Sequence, residues 1–169
     1  MKAIVAVDLN WGIGCAGKLL QYIPEDMKFF KEKTIGNVVV MGRETFESFP
    51  GKNPLKDRVN IVLSRNESFK DDRLIICNSV EKTFKELEKY DNDKNFIIGG
   101  ETIYKQFLPY CNELYVTKVH NKQKADRFFP NIDIMKEWHQ VEESEEKEYN
   151  NIKYVFSKYI NNSKTIAEQ

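Results

Sequence analysis

Cysteine and histidine are scarce in this 169-residue chain, which holds three of the first and two of the second. Cys15, Cys77 and Cys111 are widely spaced, and His120 and His139 have no cysteine or histidine partner at ligand spacing. Neither a disulfide framework nor a zinc site is expected, and no metal is assigned. An excess of one charge sign is also missing. Lys and Arg number 26, as do Asp and Glu, so the electrostatic footprint of a nucleic-acid binder is lacking. No apolar run approaches the roughly 20 residues of a membrane span, and the N-terminal run over 3–7 is too short for a signal peptide. No repeat, low-complexity tract or linker is visible. These absences leave one soluble domain of a reducing cytoplasm, with no nucleic-acid or membrane partner.

What is present suffices for a core and a small-molecule cleft: 41% of residues are apolar and 31% charged. Residues 3–7 (AIVAV) form a β-branched-rich run, the mark of a strand buried on both faces. A long loop with Gly12, Gly14 and Gly17 follows. Pro24 opens a helix with Glu25 and Asp26 in its favourable first turn; it runs to about Thr34 and stops at Gly36-Asn37. A second buried strand covers 38–41 and ends at Gly42; a short helix over 45–49 is broken by Pro50-Gly51. Strands are expected over 59–63 and 74–77, then a helix of about ten residues capped by Ser79. A strand at 96–98 runs into Gly99-Gly100, a helix over 102–108 ends at Pro109, and 114–117 is again a strand. Residues 141–147 and 153–159 read as an antiparallel hairpin. Residues 161–169 are polar and expected to fray. Alternating strand and helix through the first two thirds predicts an α/β fold with a mainly parallel sheet and helices on both faces.

Gly12-Ile13-Gly14-Cys15-Ala16-Gly17 matches the dinucleotide pattern G-x-G-x-x-G, but its context fails. That pattern must open a helix at once, whereas here the helix begins only at Pro24. The glycines read instead as a mobile loop, a candidate lid. Ile23, Asp26, Met27 and Phe30 lie at i, i+3, i+4 and i+7, one helix face, so an acid stands in an apolar stripe. Burial disfavours its charge unless a cationic or amide-rich ligand compensates, although a first-turn Asp also stabilises a helix by itself. Two strand–glycine–helix junctions, 40–45 and 97–102, offer backbone amides to a pyrophosphate. Arg43 and Arg65 are candidates for the ribose phosphate that distinguishes NADPH from NADH.

Ile4-Val5-Ala6, Gly12-Ile13-Gly14, Ile23-Pro24-Glu25-Asp26, Phe30, the run from Met41 to Ser48, Arg58, Ile98-Gly99-Gly100 and Tyr104 appear in an order that closely resembles the dihydrofolate reductases. The strings VMGRETFESF and IIGGETIYKQFLP are specific, and the resemblance runs from about residue 3 to 159. It implies a single domain over 1–160, an eight-stranded, mostly parallel sheet flanked by helices, an antiparallel C-terminal hairpin, and a tail from 161. It further implies a cytoplasmic monomer of one-carbon metabolism that reduces 7,8-dihydrofolate with NADPH and binds antifolates.

By the same resemblance, Asp26 is the catalytic acid that grips the pterin. Arg58 holds the glutamyl α-carboxylate as a two-pronged pair. Met27, Phe30, Phe49 and Leu55 wall the pterin and the aminobenzoyl ring. Ile4, Val5, Lys52, Ile98, Tyr104 and Thr117 complete the substrate side. NADPH contacts fall to Ala6 in the first strand, to Ile13, Gly14, Lys18 and Leu19 on the lid, and to Gly42, Arg43, Glu44 and Thr45 at the first junction. Leu63, Ser64, Arg65 and Asn78 come next, then Gly99, Gly100, Glu101, Thr102 and Ile103, with the Gly99-Gly100 peptide cis. Hydride passes from NADPH to the pterin carbon beside the imine nitrogen. Asp26 lies on the far side of that ring, so water is the expected immediate proton donor, and turnover is expected to fall as pH rises.

Two departures stand out. The family usually has Leu-Pro-Trp before the helix with the acid, where this chain reads Leu19-Leu20-Gln21-Tyr22; Gln21 binds water but offers no flat apolar cover. Glu101 replaces a glycine of some relatives. The related reductase of riboflavin synthesis lacks both the acid and the arginine, so Asp26 with Arg58 discriminates against it. A silent folate-binding paralogue would not need the intact acid, and a merely partner-binding domain leaves Asp26 in its apolar stripe unexplained.

Overall fold

Strands buried on both faces hydrogen-bond to neighbours on both edges, and the β-branched runs do so here. The computed structural model describes residues 1–165, and the side chains of residues 1–163. In chain order the elements are β1 (Lys2–Val7), β2 (Gly12–Cys15), β3 (Lys18–Leu19), α1 (Pro24–Thr34), β4 (Val38–Gly42), α2 (Arg43–Glu47), β5 (Val59–Leu63), β6 (Ile75–Cys77), α3 (Val80–Leu87), β7 (Asn95–Gly99), α4 (Glu101–Phe107), β8 (Glu113–Val119), β9 (Arg127–Phe128), β10 (Trp138–Glu143), β11 (Lys147–Tyr149), β12 (Ile152–Asn161) and α5 (Asn162–Thr165). The main sheet runs β10-β12-β8-β1-β7-β4-β5-β6, with β11 also pairing β12. Pairings from β8 to β6 are parallel. Those of β12 with β8, β10 and β11 are antiparallel. The expected α/β architecture, eight strands across and antiparallel at its C-terminal edge, is what the chain adopts.

Successive strand residues face opposite sides. Val5, Val7, Val38, Val40, Ile97 and Val116 pack with Leu87 of α3 and Phe107 of α4 on one face. Ile4, Val39, Met41, Ile98 and Tyr115 face the other way, against Phe29 and Phe30 of α1. Both faces of the central strands are thereby dry, which is why Val39, Val40, Met41, Ile61, Val62 and Ile97 show no accessible surface.

Several boundaries differ from the sequence reading. The expected loop after β1 is a hairpin: β2 pairs β3 and also β9, forming a separate three-stranded sheet. Its turn, Ala16-Gly17, has φ of 51° and 76°, the left-handed pair that suits a two-residue hairpin. Glycine's weak strand propensity hid β2. The same hairpin removes the dinucleotide pattern from consideration, since no helix opens at Gly17. Helix α2 starts at Arg43 rather than 45, directly from the strand. The expected strand over 141–147 is divided. β10 bulges between Gln140 and Glu142, and β11 resumes at Lys147. The β11–β12 turn uses Asn150 and Asn151 at φ 49° and 62°. The expected tail also begins too early. Asn161 still pairs with Trp138 in β12, is 2% exposed, and donates from Nδ2 to the Cys111 carbonyl at 3.1 Å. A polar residue at a strand end resembles a tail until its buried partner is known. Residues 166–169 of that expectation lie outside the described residues.

Candidate active site

All parallel strands present their carboxyl ends at one edge, where open α/β sheets hold ligands. There β1 and β7 part. Their register covers Lys2↔Phe96 and Ala3↔Ile97 and then stops, although β1 continues to Val7 and β7 to Gly99. The Ile4 carbonyl, turned into that opening, accepts the Tyr104 hydroxyl at 2.7 Å. Asp26 reaches the same region from the first turn of α1. Its Oδ1 accepts the Thr117 hydroxyl at 2.6 Å, and Thr117 lies opposite Ala6 in the β1–β8 register. Burial raises the Asp26 pKa, and the Thr117 hydrogen bond offsets this only in part. Among the described residues no cation pairs with it, so the carboxylate is a desolvated charge awaiting a donor-rich partner. Burial, then the Asp26 charge, pushes the Tyr104 hydroxyl far above its ordinary pKa, which keeps it a proton donor. The neighbouring Glu25 is handled oppositely. Tyr154 donates to its Oε2 at 2.6 Å and Lys147 Nζ lies 3.3 Å from Oε1, which holds its pKa low and pins the first turn of α1.

The apolar wall is built from Phe30, Phe49 and Leu55, packed beside Ile4, Met41 and Ile98. Arg58 stands at its end, 6.0 Å from the Phe30 ring centroid. Its Nε donates to Thr34 Oγ1 at 2.9 Å and its Nη1 to the Lys56 carbonyl at 3.0 Å, so two of a guanidinium's five donors are engaged among the described residues. Other expected members sit apart. Met27 is 44% exposed, because the helix packs inward through Phe29 and Phe30. The Val5 side chain lies on the opposite sheet face from Ile4, as strand alternation requires. Lys52 is exposed at the turn after Phe49, where its carbonyl accepts from Arg73.

For the cofactor, the two glycine junctions come together. A Cβ on Gly42 would stand 3.2 Å from Ile103 Cγ1, and one on Gly100 3.5 Å from Thr45 Oγ1. Neither α2 nor α4 has a side-chain cap at its N-terminus, so Arg43, Glu44, Thr45, Thr102 and Ile103 offer backbone amides, a donor set suited to a pyrophosphate. The residues present therefore fit a dinucleotide. The Gly99-Gly100 peptide is cis. Gly99 has φ +117°, and a Cβ there would lie 3.0 Å from Tyr104 Cε2. Gly99→Ala is therefore expected to lower stability by about 1–3 kcal/mol, read as the urea midpoint.

Ser64 and Asn78 line one open cavity of about 620 Å³ at the ends of β5 and β6. Lys82, not among the expected site residues, lines it too; its only sequence signal was its place one turn into the Ser79-capped helix. Arg65 is exposed beside Ser64. On the β2–β3 hairpin, Ile13 is buried in the core, whereas Lys18 and Leu19 are exposed and Gly14 pairs with Leu19. Glu101 turns away from the glycine junction. Its Oε1 accepts the Phe128 amide at 2.9 Å and lies 3.8 Å from Lys105 Nζ, tying α4 to β9.

Fold and site together define an α/β domain of the kind whose ligands sit at the carboxyl edge of the sheet, here with a half-buried carboxylate and two glycine-rich turns. The dihydrofolate reductase family model matches residues 1–161. Dihydrofolate reductase of Staphylococcus haemolyticus is 37% identical over 161 residues, covering 94% of each chain. The bifunctional dihydrofolate reductase-thymidylate synthase of Glycine max is 35% identical over 186 residues, covering 99% of this chain but 34% of that one. The chain thus spans about a third of that bifunctional relative. The solved structure of dihydrofolate reductase from Enterococcus faecalis, complexed with NADP(H) and RAB-propyl, superposes with a TM-score of 0.85 at 36% identity over 95% of each chain. The chain belongs to the dihydrofolate reductase family.

Proposed function

We propose that this chain reduces 7,8-dihydrofolate to 5,6,7,8-tetrahydrofolate with NADPH. The observation that carries the reading is Asp26, a desolvated carboxylate held by Thr117 where β1 and β7 separate. NADPH, when bound, supplies the hydride. The chain's own residues supply the rest. Asp26 accepts from the ring nitrogen and amino group of the pterin, holds the ring in one orientation and favours its protonated form, an effect enlarged where water is excluded. Phe30, Phe49 and Leu55 cover the flat rings, and Arg58 takes the glutamyl α-carboxylate. The amides at Gly42–Thr45 and Gly99–Ile103 take the pyrophosphate; Ser64, Asn78, Arg43 and Arg65 take the phosphorylated ribose. The β2–β3 hairpin closes over the nicotinamide end and limits access of water to the pterin nitrogen that must gain a proton.

The reading takes residues 1–160 as one reductase domain, monomeric and cytoplasmic, open to antifolates that mimic a protonated pterin. Among the described residues no helix is long and apolar enough to cross a membrane. Loss of NADPH absorbance on addition of dihydrofolate is the expected result, with NADH at least tenfold poorer in kcat/KM because the arginines lose their phosphate partner. No dihydrofolate-dependent oxidation by a folded chain would refute the proposal.

A further inference from the structure

Three side-chain amides meet beside the site. Gln21 Nε2 donates to Asn121 Oδ1 at 2.9 Å. Gln21 Oε1 accepts from Asn121 Nδ2 at 3.4 Å and from Gln123 Nε2 at 3.2 Å. Gln21 lies between β3 and α1, five positions before Asp26, while Asn121 and Gln123 belong to the connection from β8 to β9. That connection also holds the lid hairpin. Asp8 Oδ1 accepts the Gly12 amide at 2.8 Å and its Oδ2 accepts the Gln123 amide at 3.1 Å. Asp126 Oδ2 accepts the Ala16 amide at 3.0 Å, and the Asp126 amide donates to the Gly14 carbonyl at 3.0 Å. The aspartates thus fasten the hairpin to the connection, but among the described residues neither hydrogen-bonds to the segment that enters α1. The contacts of Gln21 bridge that gap.

We infer that Gln21 is a positioning residue: its paired amide contacts to Asn121 and Gln123 hold the β2–β3 hairpin in fixed relation to helix α1, and so to Asp26. This rests on the reductase reading, in which the hairpin covers the site. Amides suit the task physically. Each donates and accepts, so three of them satisfy one another without placing another charge near the uncompensated Asp26. Gln21 and Asn121 are half-buried, which shields their bonds from competing water. Gln123 is exposed, so the clamp is open to solvent on one side and able to release.

The test combines backbone amide hydrogen exchange on the whole chain with steady-state kinetics, for Gln21→Ala, Asn121→Ala, the double variant and Gln21→Glu. Each alanine variant is expected to speed exchange at Ala16 and Gln123 about tenfold, with exchange in β4 and β7 unchanged. The double variant should add nothing beyond Gln21→Ala, since that substitution already removes every bond between Gln21 and Asn121. Gln21→Glu keeps the acceptor for Asn121 Nδ2 and Gln123 Nε2 but loses the donor to Asn121 Oδ1, and should restore part of the protection. In turnover, kcat should fall about three- to tenfold, with the deuterium isotope effect from 4-deuterated NADPH rising and KM for dihydrofolate within twofold. Unchanged exchange at Ala16 and Gln123, additive effects in the double variant, or a uniform rise that includes β4 and β7 would each overturn the inference. Exchange is read without turnover. A clamp that behaves as expected in a chain that does not oxidise NADPH would therefore sink the reductase reading alone.

Discussion

Asp26→Asn is expected to lower kcat for dihydrofolate by about 10²–10⁴-fold, the span of a lost acid–base group, with little change in NADP⁺ binding. Asn fills the same space and can still accept from Thr117, but it carries no charge to favour a protonated pterin. If that is the carboxylate's task, bulk acid can partly replace it. The variant's rate should therefore climb steadily as pH falls, while the natural protein's rate levels off in acid and declines as pH rises.

The same substitution should stabilise the fold. Burial raises the pKa of Asp26 in the folded chain above its unfolded value. Its favourable contribution is thus fully present below the unfolded pKa, about 4, and is lost as pH rises through the folded value. At pH 7 the native protein bears the cost of a desolvated charge and the Asn variant does not. A gain in Tm on the order of 2–4 °C is expected at pH 7, vanishing in acid. Thermal denaturation at the two pH values checks the sign. A variant less stable at pH 7 would mean that Asp26 braces the fold rather than serving a ligand. Near-normal turnover would remove it from the chemistry.

Arg58→Leu is expected to raise KM for dihydrofolate about 10–100-fold while kcat stays within twofold. A bidentate guanidinium–carboxylate contact is a charge-assisted pair worth about 1.5–3 kcal/mol, and it is made equally in ground and transition states. The local geometry prepares the arginine for this. Thr34 and the carbonyl of Lys56 fix two of its nitrogens, the Phe30 ring lies beside it, and burial lowers the pKa of its guanidinium. Dihydropteroate, which has no glutamyl group, provides the control. Its KM should be indifferent to the substitution. An equal rise for both substrates would show that the loss of Thr34's partner had deformed the wall instead.

The sequence by itself determined the class of fold and most of its elements. Continuous β-branched runs such as Val38-Val39-Val40 can be buried only by neighbours on every side, and Pro24 with two acids or Ser79 can hardly begin anything but a helix. Asp26 was legible because an acid at a helical apolar position breaks a rule that costs energy to break. Most of the other site assignments came from resemblance, since single arginines, glycines and apolar residues carry no local signature of what they will face.

Tertiary structure alone decided the rest, because it rests on pairs distant in the chain. Whether Asp26 meets Thr117, where β1 leaves β7, and that Gln21 finds Asn121 and Gln123 are consequences of sheet order, which local propensity does not encode. The hairpin at Gly12–Leu19 was hidden for the same reason. Glycine has little intrinsic preference for a strand, so the hairpin becomes one only when β9, more than 100 residues later, supplies its other edge.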